Sequence, residues 1–126
     1  MTIEAFVSRA HAGDRVPTSW GELKWRLTGK TMPGAQMTFG TCVIKPGDRN
    51  PLHSHPNCEE LLYIVSGSCE HRLGEETVHL AAGDIIRIPR DVPHWARALG
   101  TEPVFALIVF STGERQAVDL EGGGVA

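Results

Sequence analysis

The feature that most restricts the fold of this chain is how soon each apolar run is interrupted. None is longer than a strand, and clusters of Gly, Pro, Asn and Asp recur between them at short, regular spacing. That punctuation predicts an all-β sandwich or barrel. Residues 36–45, QMTFGTCVIK, read as a strand with Phe39, Thr41 and Val43 on one face and Gly40, Cys42 and Ile44 on the other. Lys45-Pro46-Gly47-Asp48 is turn chemistry. SCEHRL and TVHL form a hairpin about a tight turn at Gly74–Glu76, and AAGD then leads into IIRIP. HWARAL opens at His94, and Val104–Ser111 is apolar on both faces, as a central strand is. In Gly21–Gly29, Leu23, Trp25 and Leu27 alternate with Lys24 and Arg26, which favours a strand. Residues 1–16 predict an extended arm or edge strand, and the polar tail from Thr112 predicts a frayed end, with disorder from Gly122 to Ala126.

A chain of 126 residues suits one domain with a real core. Fourteen Gly and eight Pro agree with many short strands and tight turns. The net charge is −3, and no Lys/Arg cluster or basic stripe exists, so nucleic acid is excluded as an expected partner. No segment reads as a membrane-spanning helix, and the N-terminus carries Glu4 early without a sustained apolar core, unlike a secretory signal. A cytoplasmic protein with no membrane partner is expected. Cys42, Cys58 and Cys69 are odd in number and lack C-x-x-C spacing, which predicts free thiols. Cys58 sits between His55 and Glu60, so approach to a metal or oxidation is its alternative role.

The chemistry concentrates in residues 47–67. His53 and His55 lie one residue apart, a spacing that aims both imidazoles to one face of a strand. Pro56 and Asn57 favour a turn, and the next apolar run opens with Glu59 and Glu60. These two carboxylates face opposite ways on a strand, so at most one joins the histidines. Two neutral imidazoles and one carboxylate make a divalent-metal site short of one ligand. A third histidine from a later strand is expected to complete it.

Gly47, His53, His55, Glu60 and Gly67 together resemble the first sequence motif of the cupin superfamily. Gly83, Pro89 and His94 resemble its second motif, separated from the first by Ser68–Ala82. Two positions depart from the pattern: Asp91 stands where the family has Gly, and Ala98 where it has Asn. Asp tolerates the left-handed turn conformation, so the first departure is mild. The second removes a polar group from the pocket. The resemblance implies a single-domain cupin, a double-stranded β-helix or jelly-roll barrel. Its parts would be an arm or edge strand in 1–30, the barrel in 36–111 and a polar tail in 112–126. It also implies metal ligation by His53, His55, Glu60 and His94, with coordination positions left open. A nitrogen and oxygen donor set of this kind suits Fe, Mn, Ni, Co or Zn.

With Glu60 and His94 turned inward, Leu62, Ile64, Ala96 and Ala98 also turn inward and predict an apolar pocket wall, while Tyr63 faces away. His71 and His79 are expected on a solvated sheet face. Arg49, Arg87 and Arg97 are expected as surface charges, with a substrate carboxylate as the alternative partner. Trp20 and Trp25 are expected to pack a core or a subunit contact. N-terminal strands of small cupins often join a partner's sheet, so a homodimer is expected. Two functions follow from the resemblance. One is a metal-dependent enzyme (isomerase, lyase, decarboxylase or dioxygenase) acting on a small acidic or carbohydrate-derived molecule. The other is a module that binds or senses a small ligand or metal without turnover.

Overall fold

The computed structural model describes residues 2–122, and two antiparallel sheets account for nearly all of its regular structure. The first sheet has the order β1-β2-β3-β10-β5-β8, built from Asp14–Pro17, Gly21–Leu27, Thr38–Ile44, Val104–Phe110, Glu60–Ser66 and Ile85–Ile88. The second has the order β11-β4-β9-β6-β7, from Val118–Asp119, His53–Ser54, His94–Ala98, Ser68–Leu73 and Glu76–Ala81. The expected jelly-roll barrel is therefore what forms. A short 3₁₀ turn at Ile3–Phe6 is the helical element described. No described helix is long and apolar enough to cross a membrane.

Alternation decides which side chains enter the barrel. In β3 the buried positions are Thr38, Gly40, Cys42 and Ile44, and in β5 they are Glu60, Leu62 and Ile64. The central strand β10 buries Val104, Ala106, Ile108 and Phe110, but Phe105 on its other face is exposed. Its outer face is thus partly covered, with Leu107 and Val109 half-buried, where burial on both faces was expected. Residues 1–30 do more than form an arm: β1 pairs with β2, and β2 pairs with β3 of the same chain.

Backbone geometry explains two of the motif positions. Gly67 has φ +83°, and a Cβ there would lie 2.4 Å from the carbonyl oxygen of Pro103. Asp91 adopts φ +68°, the left-handed conformation expected for a residue replacing Gly, and its N–H donates to the His55 carbonyl at 2.9 Å.

The tail corrects the sequence reading. Thr112–Gly122 do not fray. The segment returns across the barrel as a strap, and its β11 pairs with β4, opposing Val118 to Ser54 and Asp119 to His53. Asn57 pins the strap, its Nδ2 donating to the Glu114 carbonyl at 2.8 Å and its Oδ1 accepting from the Gln116 N–H at 3.0 Å. Glu121 accepts two 2.9 Å hydrogen bonds from Arg49 and a further one from the Leu52 N–H. The disorder expected over 123–126 lies outside the described residues.

Candidate metal centre

Strand register assembles the centre. His53 of β4 stands directly opposite His94 of β9, and their ring centroids are 4.1 Å apart. His55 follows β4 on the same face. Glu60 opens β5 in the other sheet, opposite Phe110 and Ile88. The four groups come from both sheets and meet between them, all buried. One ligand atom from each of the three histidines lies within 4.8 Å of the others. The Glu60 carboxylate sits 3.2 Å from His55 Nε2 and 3.3 Å from His94 Nε2.

The tautomers follow from the hydrogen bonds. Each Nδ1 faces a backbone carbonyl: His53 that of Pro51 at 2.6 Å, His55 that of Gln116 at 2.8 Å, and His94 that of Val92 at 2.9 Å. A carbonyl only accepts, so each Nδ1 carries the hydrogen, and in the neutral ring each Nε2 keeps a lone pair. Buried lone pairs on His55 and His94 then face a buried carboxylate oxygen, and none of these three atoms has a hydrogen-bond partner. Acceptor facing acceptor is unfavourable unless something positive lies between them. One proton can serve one such pair, whereas a divalent cation serves every donor at once. The residues therefore fit a metal ion, and fixing the outer ring nitrogen on a carbonyl is how proteins orient metal-binding histidines.

Titration agrees with this donor set. Burial pushes the His53 pKa down to about 3, with His94 adding to the effect, so the ring is neutral near pH 7. His53 is thus in the deprotonated form that a metal requires. Burial alone would raise the Glu60 carboxyl; it falls below the usual carboxylate range only where a hydrogen or positive charge on the His55 and His94 side faces it, so the ionised carboxylate also calls for a cation there.

The centre opens on a small cavity of about 40 Å³. Trp20, Leu23, Leu62, Ile108 and Phe110 give it an apolar wall, and Cys42, Asn50 and Arg115 add polar groups. Leu62 lines this space, whereas Ile64, Ala96 and Ala98 are buried in the core and are not among its lining residues. The three cysteines are free and buried, and the convergent ligand group contains histidine alone, without Cys58. Burial raises the thiol pKa of Cys42 and Cys58, and that of Cys69 to about 11, so all three are poor thiolate ligands.

Of the arginines considered from sequence, Arg49 pairs with Glu121, Arg87 with Glu59, and Arg97 donates to the Gly47 carbonyl. Arg115 of the strap is the one that reaches the cavity. Composition offered no signal for it, because it lies in a polar stretch without alternation. His79 is exposed as expected, but His71 is not: it is 1% exposed, with its ring stacked on His94 at 6.1 Å and 6°. The alternation of β6 turns Cys69 and His71 inward together.

Comparison with known proteins supports this geometry. The chain is 34% identical over 109 residues to the protein SchB of Streptomyces halstedii, covering 84% of this chain and 78% of that protein. It is 37% identical over 82 residues to the polyketide synthase CurC of Streptomyces cyaneus, covering 65% of this chain and about half (53%) of the relative's length. Among solved structures, a Lactobacillus farciminis oxalate decarboxylase in complex with formate superposes with a TM-score of 0.79 at 27% identity, covering 86% of this chain and 33% of that one. Residues 40–110 match the cupin domain, a span that includes His53, His55, Glu60 and His94. By motif, fold and matched span, this chain belongs to the cupin family.

Proposed function

We propose that this protein is a metal-dependent enzyme of the isomerase, lyase, decarboxylase or dioxygenase kind. Its substrate would be a small acidic or carbohydrate-derived molecule. His53, His55, His94 and Glu60 would hold the ion. The observation that carries this reading is the convergence of the buried His55 and His94 Nε2 atoms on a buried Glu60 oxygen, none of the three with a hydrogen-bond partner, while each Nδ1 is held by a backbone carbonyl. A divalent ion there supplies Lewis acidity toward substrate oxygens, or, if it is iron, a site for oxygen. The protein's own share is to fix the ring orientations through the Pro51, Gln116 and Val92 carbonyls. The apolar wall of Trp20, Leu23, Leu62 and Ile108 excludes water from one side of the bound molecule. Similarity to oxalate decarboxylases supports the decarboxylase member of the set.

The second reading, a module that binds a small ligand without turnover, is favoured by the scarcity of acid–base groups in the cavity, since Tyr63 is on the outer face. Metal analysis of the purified protein tests the centre: wild type should hold one ion per chain, and His53→Ala and His94→Ala should hold none while keeping β-sheet circular dichroism. Unchanged metal content in both variants would refute the site. Screening with each reconstituted metal then separates oxygen-consuming turnover, oxygen-independent turnover, and affinity without product.

A further inference from the structure

The metal chamber is too small for the molecules proposed to enter it. A space of about 40 Å³ holds about three water-sized spheres, whereas sites for organic ligands run to about 300–1,000 Å³. A wall must therefore move. Most of the lining belongs to the barrel: Leu23, Cys42, Leu62, Ile108 and Phe110 are buried on strands of one hydrogen-bonded sheet. The strap is built differently. It reaches the chamber at Arg115, whose guanidinium carbon lies 4.2 and 5.3 Å from the Trp25 and Phe110 ring centroids, yet none of the residues from Thr112 to Gly122 is buried. Its other attachments beyond Gly113 include the Asn57 clip, the two-residue β11 ladder and the Glu121 bonds to Arg49 and Leu52, all polar. Segments that bury little apolar surface are the ones that open at low free-energy cost.

The near end of the strap is fixed. Thr38 Oγ1 donates to the Thr112 carbonyl and the Gly29 N–H to the Gly113 carbonyl, both at 2.8 Å. Gly113 packs so closely that a Cβ there would lie 2.1 Å from the Ala35 carbonyl oxygen. Motion of the strap is therefore a swing from this anchor, and it withdraws the Gln116 carbonyl from His55 Nδ1. Two thiols mark what the strap covers. Cys58 is 3% exposed, and the Gln116 backbone and the Arg115 charge lie near enough to act on its sulfur. Cys42 lines the chamber itself. Cys69 lies elsewhere, buried between Ala98 and Leu80 in the second sheet.

We propose that residues 114–122 form a lid that swings from the Gly113 anchor to admit a small organic molecule to the metal chamber. That the chamber is a ligand site rests on the metal-centred reading above; the motion does not. Alkylation of the purified protein by iodoacetamide in excess chelator tests the lid, with each cysteine followed by peptide mass spectrometry. The reagent is itself a small organic molecule, so its arrival at Cys42 reads entry directly. The intrinsic reactivity of each thiol cancels in the ratio of variant to wild type. Glu121→Ala loosens the far end of the strap and should raise the rates at Cys58 and Cys42 together, by about fivefold or more, while Cys69 keeps its wild-type rate. Asn57→Ala, read at Cys42 because Cys58 is its neighbour, should do the same. Unchanged rates at Cys58 and Cys42 overturn the proposal. An equal rise at Cys69 also overturns it, because that reports unfolding of the whole barrel. So does a rise at Cys58 alone, which would mean that the strap moves without opening the chamber. Failure of the protein to take up metal would end the metal reading and leave these rates as they are.

Discussion

His71 is a buried polar side chain whose ring nitrogens have no hydrogen-bond partner of good geometry among the described residues. It pairs with Val78 and Ala96 across β7 and β9, is 1% exposed, and has no hydrogen bond at Nδ1 or Nε2, although the Arg72 backbone lies near enough to influence it. An unsatisfied buried donor or acceptor costs about 1–3 kcal/mol. Leucine has a similar volume and no polar atom, and a swap of this kind costs less than about 1.5 kcal/mol in shape mismatch. His71→Leu should therefore stabilise the metal-free protein by about 1–2 kcal/mol at pH 7. The pH dependence supplies a second magnitude. Burial, and then His94, lower the His71 pKa from 6.5 to about 4. Between those values the unfolded chain binds a proton that the folded chain does not, so stability falls as the pH falls through that window. Full traversal is worth about 3 kcal/mol at about 1.4 kcal/mol per pH unit. The gap between variant and wild type should widen by that amount from pH 7 to pH 4. His53 and the carboxylates titrate in both proteins, so their contributions cancel to first order. Urea unfolding in excess chelator at several pH values measures it. A variant less stable than wild type at pH 7, with a gap that does not change with pH, would show that the ring is satisfied and the reasoning false. The same variant should keep its metal, because the Val92 carbonyl rather than the stack on His71 aims His94.

Two further outcomes follow from the strap and the outer sheet face. Asn57→Ala releases the Glu114 and Gln116 backbone from its side chain and with them the carbonyl that orients His55; metal affinity, read by competition with a chelator, should fall about 10- to 100-fold, and unchanged affinity would contradict the orienting role. Leu61, Tyr63, Val65 and Phe105 are exposed on one outer face, which a homodimer would cover; light scattering should then give twice 13.7 kDa for wild type and 13.7 kDa for the Leu61→Lys, Tyr63→Lys double variant, and a monomeric wild type would end that proposal.

The parts of this molecule that could be read in its sequence depend on spacing. His-x-His and a Glu opening the next strand need only the two-residue period of a strand to converge, and His94 needs only a register that sets it opposite His53. Asp91 was legible for a related reason: few residues other than Gly accept φ near +68°, and Asp is one. His71 was misread because a hairpin's inward face cannot be told from its outward face when polar residues occupy both. In β6 the inward pair is Cys69 and His71, and the outward residues Glu70 and Arg72 look no more polar than a histidine does. Burial there is imposed by the second sheet, a tertiary effect that local alternation does not contain.

The strap shows a deeper limit, and it bears on what family membership can say about function. The matched stretch ends at residue 110 and contains all four candidate ligands. What completes the site lies on either side of it. Trp20 walls the cavity, Trp25 seats the guanidinium, Arg115 supplies the cation, and the Gln116 carbonyl holds His55. That last contribution is main chain, so no residue type at position 116 advertises it. Any residue there would offer the same oxygen, provided the strap is held in place. The candidate ligands thus lie within the matched span, while part of the chamber wall belongs to flanks that the match does not reach. Two cupins with identical ligands can therefore admit different molecules. For this chain, substitutions at Trp25 and Arg115 should change which ligand is admitted while leaving the metal content alone, the reverse of substitutions at His53 and His94.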